Sequence, residues 1–223
     1  MCAALPVDMD VRQLHRDLVA LHGKPAKAHS EDGVRQLVTT VLSQNVTDQQ
    51  TARAADELFR TYPDYRAIEE ASHEELADTI SAVGLMNQKA DRIQRALGRI
   101  RAETGGEYTL AFLEELPTEE AQDWLTEIKG IGPKTASVVL NFHFERPTFA
   151  VDTHIERLST RFGLIDDSTT AEQAHEVLNE TVPDDIKYSL HVLLIGHGKE
   201  YCTARSPDCD NPVCVAYCDC QGC

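Results

Sequence analysis

With 223 residues, 42% of them apolar, the chain is long enough for one large domain or two small ones built on a real core. No apolar run approaches the roughly 18 residues of a membrane span, and the opening "MCAALPVDMD" has neither a basic n-region nor an apolar h-region, so a cytoplasmic protein is expected. The formal charge of −16, with acids spread along the whole chain, points to an acidic surface of the kind that keeps halophile proteins soluble in salt; alone it argues against nucleic acid as a partner.

The periodicity is helical nearly throughout. "GVRQLVTTVLSQ" puts Val34, Leu37, Val38, Val41 and Leu42 on one stripe. "SHEELADTISAVG" opens on the capping-box pair Ser72 and Glu75 and is expected to run as one helix to Gly84. "NQKADRIQRALGRI" aligns Ala90, Ile93, Ala96, Leu97 and Ile100. "TEEAQDWLTEI" follows Pro117 and is expected to bury Ala121, Trp124, Leu125 and Ile128. "TTAEQAHEVLNETVP" closes at Pro183. No stretch alternates at period two for more than a few residues, so the expected fold is all-α, with about ten short helices joined by short connections.

"LTEIKGIGPKTASVVL" interrupts this regularity: helix, then "KGIGP", then helix. Gly130 and Gly132 permit positive φ and leave backbone N–H groups uncovered, and Pro133 sits where a first helical turn tolerates it. An ordinary αα-hairpin explains the turn. The same turn is also an anion site that needs no basic side chain, which weakens the objection raised by the charge. Lys134 lies in the first turn of the second helix, against the positive end of the macrodipole. Such a lysine is commonly just solvated, but a dipole that disfavours the ammonium form favours the neutral amine a nucleophile requires. Further on, "FAVDTHIERLSTRFGLI" places Asp152 before a helical stretch from His154 to Phe162. On local grounds Asp152 is a helix N-cap.

Cys2 stands alone, whereas Cys202, Cys209, Cys214, Cys218, Cys220 and Cys223 crowd the last 22 residues. In a cytosolic chain that crowding reads as a metal site in preference to a disulfide framework.

Five segments, "LSQNVTD" (Leu42 to Asp48), "GLMNQKA" (Gly84 to Ala90), "IKGIGPKTASVVLN" (Ile128 to Asn141), "VDTHIERL" (Val151 to Leu158) and "HGKEYC" with the cysteine tail, together resemble the endonuclease III family of helix-hairpin-helix DNA glycosylases. The order matches the family from about residue 12 to the C-terminus, and the spacing nearly so. The resemblance implies a two-lobed all-α helix-hairpin-helix glycosylase fold. A six-helix lobe at 32–145 would carry the hairpin, and 1–31 together with 146–223 would form a second lobe holding the cluster, with the active cleft between them.

It further implies Lys134 as the catalytic nucleophile and Asp152 as the catalytic carboxylate, with Gly130 and Gly132 binding DNA backbone. Asn45, where bacterial members usually carry glutamine, would fill the gap left by a flipped nucleotide, and Leu85 would wedge into the opposite strand. The implied activity is that of a bifunctional glycosylase and AP lyase, acting as a monomer on double-stranded DNA with oxidised pyrimidines or abasic sites. A monofunctional mismatch glycosylase of the same superfamily is the alternative, disfavoured by Lys134, whose position relatives of that kind fill with a non-nucleophilic residue. A non-catalytic hairpin module with a metal-bound tail is the alternative of another class. Lys89, Arg92, Lys129 and Lys134 are expected to face phosphate.

The family holds a [4Fe–4S] cluster on a C-x6-C-x2-C-x5-C pattern. Here Cys202, Cys209, Cys214 and Cys220 fit it with a two-residue insertion in the middle spacing. Cys218 and Cys223 are then extra, either could replace the third or fourth ligand, and zinc is the alternative metal.

Overall fold

The computed structural model describes residues 10–27 and 29–218, and its described residues are helical with no strand. They fall into two compact units, 29–146 and 10–27 together with 147–218. Cys2, Cys220 and Cys223 lie outside the described residues.

The unit at 29–146 is built on α2 (Gly33–Leu42), in which Val34, Leu37, Val38, Val41 and Leu42 are all buried. Around it pack α3 (Asp48–Thr61), α6 (Met86–Glu103) and α8 (Pro133–Phe142), while α4 (Tyr65–Glu70) and α5 (His73–Thr79) lie against α6 and α7 (Thr118–Thr126) lies against α8. Local chemistry sets the helix starts: Asp32 caps α2, and capping boxes open α3 (Thr47 with Gln50) and α5 (Ser72 with Glu75).

The helix expected to run from Ser72 to Gly84 stops at Thr79. The chain then turns through Ile80 and Val83, both buried, before reaching α6. Burial of these two side chains against the core outweighs continuation of the helix. Trp124 is half-buried, not a core residue: its ring packs edge-on against Phe112 and its indole N–H donates to Glu103 Oε2 at 3.1 Å.

The other unit is organised by α11 (Lys187–Glu200), which packs on α1 (Val11–His22) and α9 (Thr153–Arg161). A short α12 (Pro212–Tyr217) lies against α1, and α10 (Ala171–Thr181) adds Ala174 and Leu178 to the same core. No helix of the described residues is long and apolar enough to cross a membrane.

Candidate active site

The hairpin forms as its residue types dictate. After α7, Ile128 and Ile131 anchor the turn in the core, and the Ile131 N–H donates to the Ile128 carbonyl at 2.9 Å. Gly130 takes φ 97°, a conformation glycine alone adopts at little cost. Gly132 is the N-cap of α8 with no side-chain cap, and Pro133 occupies the first turn. Gly130, Gly132 and Lys134 are all exposed. The uncapped helix start and the amine therefore face outward together.

Two further segments of the same unit hold residues in a left-handed backbone conformation. Asn45, in the α2–α3 loop, has φ 58°, and it is exposed. Leu85, the residue before α6, also has φ 58° and keeps 53% of its surface exposed. Asparagine tolerates this region; leucine does not. An exposed leucine held in an unfavourable conformation is the kind of local violation that accompanies function. Nothing in the sequence periodicity signals it.

Lys89 does not face solvent as expected. It is 1% exposed, and its Nζ donates to the Leu42 carbonyl, at the end of α2, at 2.7 Å. Burial, and secondarily the nearby Arg92, push its pKa down to about 8. A side chain so enclosed cannot contact a phosphate. The sequence held one clue, since Lys89 lies on the α6 stripe four residues before buried Ile93. Lys129 is exposed, whereas Arg92 is half-buried with Nη1 against Gln44 Oε1.

In the other unit, Asp152 is the N-cap of α9 and is half-buried. Its Oδ1 accepts from the backbone N–H groups of His154 at 2.9 Å and Ile155 at 2.8 Å. The cap reading and a chemical role are compatible, because both bonds fall on one oxygen.

The cysteine-rich segment packs in this same unit. Cys202 and Cys214 are buried, Cys209 and Cys218 half-buried, and none of the four is in a disulfide. Arg161 Nη1 donates to Cys202 Sγ at 2.9 Å, and the His197 ring lies 3.4 Å from Cys214 Sγ. Burial pushes the Cys214 thiol up to about 11, with Cys202 and Cys218 close enough to add to the effect. His197 stays neutral in this setting: burial, then His22, pushes its pKa down to about 4. Among the described residues no three His, Cys, Asp or Glu side chains are arranged as a metal site. The donor chemistry nevertheless fits a thiolate-held group, with buried, unbridged sulfurs near one another and a guanidinium on one of them.

Residues 38–184 match the model of the HhH-GPD superfamily of base excision DNA repair proteins. The chain belongs to the endonuclease III family. It is 32% identical to endonuclease III of Thermotoga maritima over 94% of this chain and 92% of that protein. It is 34% identical to endonuclease III of Sulfolobus acidocaldarius over 82% of this chain and 79% of that one. Its fold superposes with a TM-score of 0.81 on a trapped endonuclease III–DNA covalent intermediate with an estranged adenine, at 26% identity and 94% coverage of each chain. The all-α helix-hairpin-helix glycosylase fold expected from the sequence is the fold observed.

Proposed function

We propose that the chain is a bifunctional DNA glycosylase and AP lyase of base excision repair that removes oxidised pyrimidines. The observation that carries this reading is Lys134: exposed, in the first turn of an uncapped helix, directly after the glycine turn of the hairpin. A DNA phosphate accepts hydrogen bonds from the N–H groups of the Gly130–Gly132 turn, which brings the strand to the lysine. The damaged nucleotide leaves the stack, Asn45 fills the space it vacates, and Leu85 wedges into the opposite strand.

The Lys134 amine then attacks C1′ with its lone pair, and the C1′–base bond breaks with its electron pair leaving on the base, which takes up a proton. Ring opening gives a protonated imine between Nζ and C1′. Loss of a C2′ proton and departure of the 3′ phosphate oxygen cleave the strand by β-elimination, and water returns the free lysine. Asp152 supplies a carboxylate that stabilises positive charge on the sugar and moves protons, using the oxygen that its helix cap leaves spare. A monofunctional mismatch glycosylase would need no amine here.

We further propose that a [4Fe–4S] cluster is held by Cys202, Cys209, Cys214 and Cys220, with Cys218 or Cys223 able to replace either of the last two. When bound it braces the C-terminal segment. The DNA partner is a duplex carrying a damaged base or an abasic site, bound by one copy of the chain. Borohydride reduction tests the central claim. The native protein should become covalently joined to an abasic duplex, and Lys134→Gln should fold and bind the same duplex without trapping or nicking. A Lys134→Gln protein that still nicks at the native rate removes the assignment.

A further inference from the structure

Resting on the reading of Lys134 as the nucleophile, we infer that Gln44 and Arg92 form a positioning device that holds the strand-inserting residues at a fixed spacing from the reacting amine. Three separate segments meet at one amide. Gln44 immediately precedes Asn45 in the α2–α3 loop. Its Oε1 accepts from Arg92 Nη1 on α6, and its Nε2 donates to Thr135 Oγ1 at 3.2 Å and to the Gly130 carbonyl at 3.4 Å. The orientation of the amide is forced, because a guanidinium only donates and a carbonyl only accepts.

The Arg92 stem also lies on the hairpin. A Cβ placed on Gly130 would come within 2.5 Å of Arg92 Cγ, so the glycine is the surface that the arginine crosses. One turn earlier on α6, Lys89 reaches back to the Leu42 carbonyl at 2.7 Å, so two cations of the same helix face grip the end of α2 and the loop behind it. Arg92 is therefore engaged inside the protein. Gln44 and Arg92 touch neither of the reacting groups. They act through Asn45, which follows Gln44, through Leu85, which precedes the helix carrying Arg92, and through Lys134, which immediately precedes Thr135 and lies four residues after Gly130.

The consequence is a coupling of base extrusion to attack. Insertion of Asn45 and Leu85 moves the flipped sugar by a distance set by these tethers, and misplacement by about 1 Å is enough to cost on the order of a hundredfold in rate. Cleavage of a preformed abasic site, which has no base to extrude, should depend on the device less than excision of an intact lesion.

The test compares native protein, Gln44→Met and Gln44→Glu, all full-length. Each is assayed under single turnover on a duplex with one oxidised pyrimidine and on a duplex with one abasic site, and by fluorescence of 2-aminopurine placed opposite the lesion. Gln44→Met should lower excision by about ten- to a hundredfold, abasic cleavage by much less, and the fluorescence rise on binding. Gln44→Glu keeps an acceptor for Arg92 but loses the donor to the hairpin. It should keep most of the fluorescence rise while losing excision. Native behaviour in both variants, or equal loss of both activities in Gln44→Met, overturns the inference, since a merely structural role lowers both together. If the native protein itself fails to cleave the abasic duplex, the lysine reading has failed instead.

Discussion

Leu85 stores conformational strain that can be measured separately from its contact with DNA. Its φ of 58° and ψ of 32° place it in the left-handed region, and no side-chain hydrogen bond caps the helix it precedes. For an L-residue with a Cβ this conformation costs about 1–2 kcal/mol. Two substitutions separate backbone from side chain. Leu85→Ala removes the apolar bulk and keeps the penalty. Leu85→Gly removes both, at the expense of about 0.4–1 kcal/mol of added freedom in the unfolded chain. The glycine variant should thus be more stable than the alanine variant by roughly 0.5–1 kcal/mol, or about 1–4 °C in melting temperature for a chain of this size. At an unstrained site the order would be reversed. Both variants should lose lesion excision to the same extent, because neither has a wedge. The assay is thermal unfolding without DNA together with single-turnover excision. An alanine variant as stable as the glycine variant would refute the strain, and full excision by either would refute the wedge.

Asp152→Asn should lower base excision by about a hundredfold or more, the scale of a positioned proton-transfer group, while unfolding free energy changes by no more than about 1 kcal/mol because asparagine also caps; retained excision with a lowered melting temperature would leave only the cap. Purified protein should be straw-brown with about four irons per chain. Iron analysis of single serine variants should show loss at Cys202 and Cys209 and retention at Cys218, and colourless protein containing zinc would reject the cluster. Affinity of the Lys134→Gln protein for lesion DNA should fall gently with salt, with a log–log slope matching about two to four phosphates at about −0.9 each. A slope as steep as that of a strongly basic DNA-binding protein would show that side-chain cations dominate the contact.

The hairpin was legible because its determinants are local. Two glycines and a proline punctuate a helical pattern, and the backbone follows those residues wherever they stand. The Ser72–Glu75 box and the Asp152 cap were readable for the same reason, as each is closed by residues within one turn. The interior of Lys89 and the amide of Gln44 were not. Their partners are 47 and 48 residues away, and although Lys89's place on the α6 stripe hints at burial, nothing in periodicity or propensity identifies a hydrogen-bond partner at that separation. The premature end of α5 belongs to the same class, because it follows from what Ile80 and Val83 meet in the core. The cysteine spacing was readable up to Cys214; Cys220, its expected partner, lies outside the described residues.

Four departures from local preference in the 29–146 unit lie close to one another, apart from Glu145, whose φ is 53°. Asn45 and Leu85 take left-handed backbone conformations, unfavourable for the leucine, Lys89 gives up hydration, and Gly130 adopts a conformation that excludes other side chains. Hydrogen bonds tie Lys89 to Leu42 and Gly130 to Gln44, which Arg92 also holds; Asn45 follows Gln44 in the chain, and Leu85 begins the helix that carries Lys89 and Arg92. A sequence under selection for stability alone would relax each of them, for example with glycine at 85 or an apolar residue at 89. Their grouping near the end of α2 fits the proposed role of Asn45 and Leu85, which calls for a rigid platform that holds both in place before DNA arrives. Such a platform suits an acidic protein in particular. With Lys89 enclosed and Arg92 committed to Gln44, two of the four cations expected to face phosphate are withdrawn, which leaves more of the contact to backbone donors and shape that need no rearrangement on binding.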